Sequence, residues 1–188
     1  GLAEMNMIAT SATISLNLEH VGLSGAKADR HGGAIYSQAV TQSVITMHNT
    51  AISSNKAVQG GAIYNYATSS VTTATVNVLD YSTITNNQAI GGSGGGLYNY
   101  ARGSNIANAY VHVQNSNIMQ NKATDGQGGG VYNKAYIDTT IYSTVETNAN
   151  ILVQYSTISQ NTSTSHGAGI YNYSYGKSVT LQYTTYET

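Results

Sequence analysis

Short segments in which apolar and polar residues alternate recur along the chain. Each places an apolar residue at every second position, as in Val76 and Val78 or Val111 and Val113. This period of two, rich in β-branched residues, is typical of a β-strand with one buried face. Further segments of this kind contain Ile45 with Met47 and Ile151 with Val153. No stretch has the apolar spacing of an amphipathic helix, so the pattern predicts an all-β protein.

A second phrase, Gly-Gly-x-Ile-Tyr-Asn with small variations, occurs five times. Its tyrosines are spaced at intervals of about 30 to 40 residues, at positions Tyr36, Tyr64, Tyr98, Tyr132 and Tyr171. A third phrase, Ile-x-x-Asn, precedes each of the last four glycine blocks and begins at Ile52, Ile84, Ile118 and Ile158. Phrases repeated at such intervals indicate one supersecondary unit that stacks on itself.

The three phrases predict three short strands per repeat, and we interpret the chain as a parallel β-helix of about five to six coils. Each coil should pair with its neighbours at a spacing of about 4.8 Å. Inward-facing ladders are expected at Ile35, Ile63, Leu97, Val131 and Ile170, and at Ile52, Ile84, Ile118 and Ile158. We assign 1–188 to a single domain, with an irregular first coil at about 1–37 and an incomplete last coil at about 173–188. A β-sandwich is the alternative, but sandwich strands do not repeat a fixed phrase at fixed offsets.

The asparagine of the third phrase is expected to have a structural role. It occurs as Asn55, Asn87, Asn121 and Asn161. Asparagine tolerates the left-handed backbone conformation better than most residues, and stacked amides form hydrogen-bonded ladders. We therefore predict that these four residues occupy bends between strands and form a ladder along the axis.

Charged residues are scarce, and this narrows the classes of partner. They make up 8% of the chain, and the net charge is −1. Such a surface does not attract nucleic acid, and no run approaches the roughly 18 apolar residues of a membrane span. Cysteine is absent, so disulfides do not stabilise the fold. The chain begins at Gly1 without a methionine, and we expect a secreted mature protein whose signal peptide has been removed.

The acidic residues do not cluster, which argues against an enzyme. Hydrolysis of a glycosidic bond needs two suitably placed carboxyl groups, and the eight Asp and Glu residues are dispersed. A polysaccharide lyase or hydrolase is therefore the least favoured class. The five histidines lack metal-ligand spacing, so we expect no catalytic, metal or cofactor site. His48 and Asp80 occupy aligned positions and are conceivable as a stacked pair, with separate outward polar residues as the alternative.

Tyrosine, with 16 copies, provides the candidate contact surface. Because successive side chains alternate across a strand, the tyrosine after each inward apolar residue should point outward. The expected exposed face contains Tyr36, Tyr64, Tyr98, Tyr132 and Tyr171, with Tyr66, Tyr100 and Tyr173 beside them. Exposed aromatic rows can contact sugar rings or another protein. The alternative is stacking that only steadies the coils.

The Gly-Gly-x-Ile-Tyr-Asn and Ile-x-x-Asn phrases resemble the right-handed parallel β-helix repeats of bacterial surface and secreted proteins. They are also similar to the repeats of polymorphic outer-membrane proteins. The resemblance covers about residues 14–188. It implies a right-handed coil and an extracellular or cell-surface role as an adhesin, a surface-layer protein or a fibre component. It carries over no catalytic residue.

The two ends of the predicted stack are strand-like and lack an obvious cap. The start contains Ile14, Leu16 and Leu18, and the finish contains Val179, Leu181 and Tyr183. Uncovered strand edges template association, and head-to-tail contacts extend into filaments because they do not close. Our leading hypothesis is a structural subunit of an extracellular filament or matrix that polymerises with itself through these residues. The alternative is a surface adhesin whose tyrosine face binds a glycan or a protein.

Overall fold

A computed structural model describes residues 5–8, 12–138, 145–175 and 178–184. In this part of the chain all regular secondary structure is β-strand, arranged in three parallel sheets. Each repeat lies on the previous one, and equivalent strands pair in register from coil to coil. The predicted parallel β-helix is therefore confirmed, while its right-handed sense stays a prediction.

The largest sheet combines the strands of two phrases and contains ten strands. They are β1 (Met5–Ile8), β2 (Thr13–Glu19), β4 (Ile35–Ala39), β5 (Gln42–His48), β8 (Ile63–Leu79), β11 (Leu97–Gln114), β14 (Val131–Ile137), β15 (Glu146–Gln154), β18 (Ile170–Ser174) and β19 (Ser178–Thr184). The second sheet holds β3 (Gly22–Ser24), β6 (Ala51–Ser53), β9 (Thr83–Thr85), β12 (Asn117–Met119) and β16 (Thr157–Ser159). The third holds the two-residue strands β7 (Lys56–Ala57), β10 (Gln88–Ala89), β13 (Lys122–Ala123) and β17 (Thr162–Ser163).

The core of the helix consists of the predicted apolar ladders. Ile63 pairs with Ile35 on one side and with Leu97 on the other, and Ile84 pairs with Ile52 and Ile118. All six of these side chains are fully buried. Because each coil supplies one apolar residue to each ladder, burial repeats along the axis without a separate core for each coil.

A flat extension, which we call the wing, projects from one corner of the helix. It consists of residues 67–74, 101–109 and the described parts of 135–149. Strands β8 and β11 run out along the wing and return, and Ala67 and Ala74 belong to one buried cluster made almost entirely of alanine. Small side chains allow the outgoing and returning segments to pack closely. The described residues of β8 and β11 in this region are extended strand.

The predicted asparagine ladder is present, but its backbone conformation differs from the prediction. The Nδ2 groups of Asn55, Asn87 and Asn121 each donate to the Oδ1 of the next asparagine at 3.0 Å, ending at Asn161. The left-handed residues are instead those just before them, Ser54, Asn86, Gln120 and Gln160, with φ between 55° and 58°. The buried asparagine must keep its amide directed along the axis, so the preceding, more exposed residue makes the bend.

A second asparagine ladder was not anticipated from the sequence. Asn65, Asn99 and Asn133 are fully buried, and their Nδ2 groups donate to the next Oδ1 at 2.8–2.9 Å, ending at Asn172. Nδ2 of Asn65 also donates to the carbonyl oxygen of Thr75 at 3.0 Å. This ladder therefore ties the outgoing arm of the wing to the returning arm.

The residues predicted to form the ends differ in exposure. In the first coil Ile14 and Leu18 are buried and Leu16 is half-buried, whereas Leu181 in β19 is 54% exposed. The backbones of Val179 and Tyr183 pair with β15, but their side chains lie outside the described part of the structure. Among the predicted end residues whose side chains are described, the most exposed apolar one, Leu181, thus belongs to the last coil.

Candidate functional site

The tyrosines that follow the inward apolar residues form a single stack along the helix. Tyr64, Tyr98, Tyr132 and Tyr171 lie in register, and successive ring centroids are 4.7, 4.6 and 5.3 Å apart with interplanar angles of 7° to 14°. Tyr36 joins the stack at 5.5 Å with a tilted ring. The predicted alignment of these five residues is therefore confirmed.

Their predicted exposure is wrong for the interior of the stack. Tyr64, Tyr98 and Tyr132 are only 6–8% exposed, and Tyr36 and Tyr171 are half-buried. The rings do leave the strand on the outer side, but each is covered by the rings above and below it. Alternation along a strand predicts the side on which a residue lies and does not predict whether its neighbours cover it.

A second row beside the stack is the exposed part of this surface. Tyr66, Tyr100 and Tyr173 are half-buried and share a register position, as predicted. The sequence analysis did not identify Lys134, which takes the same position between Tyr100 and Tyr173. Its Nζ lies 5.3 Å and 5.5 Å from the centroids of those rings, and 4.8 Å from that of Tyr136. An ammonium at these distances is attracted to the aromatic rings.

An ion pair borders this row on the wing. The Nε group of Arg102 donates to both carboxylate oxygens of Asp138, at 2.9 Å and 2.7 Å. The hydrogen bond to Asp138 raises the pKa of Arg102. Burial, with Arg102 as the second cause, lowers the pKa of Lys134. We call Tyr66, Tyr100, Lys134, Tyr173, Arg102 and Asp138 the tyrosine face.

Burial also controls the protonation of the phenol groups. Desolvation, followed by neighbouring tyrosines, raises the pKa values of Tyr64, Tyr98 and Tyr132, and desolvation raises that of Tyr100 to about 12. These groups are therefore neutral hydroxyls at physiological pH. Because the stacked rings cover one another, the interior of the stack offers few free ring faces for a sugar. The tyrosine face is better suited to polar and charged partners than to ring stacking.

His48 and Asp80 form a pair, which the sequence analysis held only as conceivable, although the strand register places His48 opposite Leu79 and not opposite Asp80. Nδ1 of His48 lies 2.7 Å from Oδ2 of Asp80, and both side chains are well exposed. The described residues contain no group of three or more His, Cys, Asp or Glu able to hold a metal ion. The same part of the chain contains no helix long and apolar enough to cross a membrane. The absence of an enzymatic activity stays a prediction.

Comparison with known proteins gives one short match. Residues 49–66 match a family model described as the Chlamydia polymorphic membrane protein repeat. This segment includes one Ile-x-x-Asn phrase and one glycine block, from Asn49 to Tyr66. No curated protein and no solved structure matches the chain. The matched repeat and the parallel sheets fit a β-helix repeat protein of a bacterial surface or outer membrane.

Proposed function

We propose that this chain is a structural segment of a bacterial surface filament or matrix, in which a second copy continues the coil stack from its last coil. The supporting observation is that the ladders run without interruption into that coil. Asn161 and Asn172 end the two amide ladders, and Tyr171 ends the aromatic stack. A further coil placed there would find the same groups that every interior coil finds.

Open apolar surface on the same face supports the proposal. Ile158 and Ile170 are half-buried, although their counterparts Ile118 and Val131 are fully buried, and Leu181 is exposed. Among the described strands, β16 pairs only with β12, and β19 only with β15. An added coil would bury the apolar side chains and pair the open backbone edges.

The partner face is the first coil of another copy, where β2 and β3 each have one unpaired edge within the described residues. Leu16 and Val21, which are half-buried, supply apolar surface there. The first coil also carries Ala26 where the interior coils carry Asn55 or Asn87, so it adds no side-chain oxygen to the amide ladder.

A charge placed in the junction provides the experiment. Leu181→Asp should abolish fibres, because the added coil would bury this exposed side chain. Val71→Asp is the matched control and should leave fibres unchanged, because Val71 is also an exposed apolar residue but lies at the tip of the wing. Negative-stain electron microscopy and sedimentation velocity would measure length and mass. Discrete monomers from the natural chain at all concentrations would overturn the proposal, and so would fibres of Leu181→Asp equal to those of the natural chain.

The tyrosine face supports a second candidate, an adhesin that contacts an acidic partner. The described residues place no carboxylate in an ion pair with Lys134, and Arg102 is exposed beside it. Binding to immobilised polygalacturonate should weaken in Lys134→Gln and should fall further as the salt concentration rises. Equal binding by the natural chain and the variant would remove this candidate.

A further inference from the structure

Three of the seven basic residues of the chain stand in one row on the third sheet. Gln88 of β10 pairs with Lys56 of β7 on one side and with Lys122 of β13 on the other, and Lys122 also pairs with Thr162 of β17. Lys27 in the first coil bridges to Lys56. The five residues therefore hold equivalent positions in five successive coils, and we call them the cationic row.

The side chains of the row point away from the core. The alanines that follow three of the row positions, Ala57, Ala89 and Ala123, are fully buried, and successive side chains along a strand lie on opposite faces of a sheet. Lys122 is exposed and Lys56 is half-buried. Neighbouring coils are about 4.8 Å apart, so the row runs along the helix axis with one polar side chain for each step of that length.

The lysines of the row have no anionic partner among the described residues. The carboxylates that form ion pairs there, those of Asp80 and Asp138, bind other side chains. Like charges directly opposite each other on adjacent strands destabilise a sheet, and Lys27 stands opposite Lys56. Pairing within the described chain therefore does not account for these charges, whereas an anion outside the chain would.

Uncharged side chains flank the row on both sides. Two residues before four of its positions lie exposed polar residues, which are Ser54, Asn86, Gln120 and Gln160. None of these four side chains makes a hydrogen bond to another described residue. Two residues after the row lie Val58 and Ile90, and Ile90 is 40% exposed. Amide groups donate to and accept from hydroxyl groups, and an exposed apolar side chain can cover the C–H groups of a sugar ring.

We propose that the cationic row binds one chain of a linear uronic acid polysaccharide, which lies along the helix axis. Such a polymer carries one carboxylate on each sugar, and successive sugars of an extended chain are spaced by nearly the rise of one coil, about 4.8 Å. Lys56 and Lys122 each donate to a carboxylate, and Gln88 between them binds the hydroxyl groups of the intervening sugar. This site is separate from the tyrosine face, which lies on the largest sheet, and it does not depend on filament formation.

The residues of this surface favour a glycan over a nucleic acid. In the row and its two flanks no side chain is aromatic, so unpaired bases would find no stacking platform. Asp29 and Asp125 stand within three residues of Lys27 and Lys122, and their carboxylates would repel a polymer as densely charged as duplex DNA. A uronic acid chain is less densely charged and rich in hydroxyl groups, which suits a row that mixes lysine with uncharged polar residues.

The test is a titration of the whole chain with hexagalacturonate, followed by NMR of the backbone amides. We expect shifts at Lys56, Gln88 and Lys122 with a Kd of about 1 mM or tighter, and weaker binding as the salt concentration rises. Lys56→Gln combined with Lys122→Gln should weaken the binding about tenfold, as the loss of two exposed ion pairs would. Gln88→Lys adds a charge at the gap in the row and should tighten the binding about threefold.

Two control variants separate this site from other effects of charge. Gln42→Lys adds the same charge at an exposed position of β5 in the largest sheet and should bind like the natural chain. Lys134→Gln alters the tyrosine face and should leave the shift at Gln88 unchanged, so this proposal and the adhesin candidate can fail independently.

Four results would overturn the proposal. They are the absence of a shift with hexagalacturonate at about 10 mM, unchanged binding in the double lysine variant, equal tightening by Gln88→Lys and Gln42→Lys, and tighter binding of a thymidine hexanucleotide than of hexagalacturonate.

Discussion

The first coil and the interior coils share their apolar positions but differ in their polar ones. Leu18 and Leu23 continue the inward ladders at the register of Met47 and Ile52. Two hydrogen-bonding side chains are missing, since Ala26 and Val21 stand where the next coil carries Asn55 and Thr50. The tyrosine is missing too, because Asn6 stands opposite Tyr36. The amide ladders and the tyrosine stack thus belong to the second and later coils.

Apolar side chains and hydrogen-bonding side chains therefore have different roles in the fold. The first coil lies against the second through the buried side chains of Leu18 and Leu23 and through hydrogen bonds between the Asn55 amide and its backbone, without an amide of its own at that position. The ladders add specificity, because a slip of one residue would leave buried amides without partners.

Glycine-to-alanine substitution should have the largest effect and should depend on the coil. A Cβ on Gly95 would lie 2.4 Å from the carbonyl oxygen of Gly129 and from the carbonyl carbon of Lys122, so both backbones would have to move. We expect Gly95→Ala to lower the free energy of unfolding by more than about 4 kcal/mol. In the first coil a Cβ on Gly22 would meet nothing within 4 Å. Gly22→Ala should therefore change the free energy of unfolding by less than about 0.5 kcal/mol.

Urea unfolding followed by circular dichroism would measure both variants. Similar losses of stability in Gly95→Ala and Gly22→Ala would contradict the idea that the interior coils are more tightly constrained than the first.

Removal of one amide from the ladder should have an intermediate effect. Oδ1 of Asn87 accepts from both the backbone N–H and the Nδ2 group of Asn55, at 2.9 and 3.0 Å. Asn87→Ala removes this acceptor, so the backbone N–H of Asn55 loses its partner and its Nδ2 group keeps only the carbonyl oxygen of Leu23 at 3.3 Å, at a cost of about 3 kcal/mol. Asn77→Ala is the control, since Asn77 lies on the outer surface and makes one bond to Thr46 at 3.1 Å. A cost for Asn87→Ala no greater than that of Asn77→Ala would show that the ladder does not stabilise the interior coils.

Acidification should have the smallest effect, and it should act through His31, where the first coil meets the interior coils. The ring of His31 stacks on Tyr64 at 4.4 Å, and its buried Nδ1 has no hydrogen-bond partner. Burial, and then Arg30, lowers the pKa of His31 below its ordinary value. The neutral ring is therefore favoured in the folded state, so its contribution is complete above about pH 6.5 and is lost as the pH falls through the lowered pKa.

The expected loss at pH 5 is below about 1 kcal/mol, because the ring is only half-buried and solvent screens its charge. His31→Gln should flatten the stability profile between pH 7 and pH 5 in thermal unfolding scans. An unchanged profile in this variant would mean that the titration of His31 does not affect stability.

The sequence predicted the ladders better than it predicted the surface. Inward apolar positions such as Ile63 and Ile84 are specified by strand alternation together with the repeat, so both their direction and their partners follow. The same argument correctly predicted that Tyr64 and Tyr98 lie in register. It could not predict that their rings would cover each other, because burial of an outward residue depends on side-chain packing between coils.

The bend and the second ladder depend on contacts between coils. The preference of asparagine for left-handed backbone predicts a bend at Asn55, but the structure places that conformation at Ser54 and uses the amide of Asn55 for the ladder. The second ladder carried a signal, since an asparagine follows Tyr64 and Tyr98 in the same phrase. Its role depends on the returning arm of the wing, and no local pattern predicts that arm's position.

The tip of the wing offers a practical opportunity. Between β8 and β11 the register shifts there, with two residues of β11 opposite one of β8, and the strands on either side remain paired. A position that already absorbs a difference in length without disturbing the ladders is suited to grafting foreign peptides. Epitopes inserted in successive coils would be displayed in a row at regular intervals of about 4.8 Å.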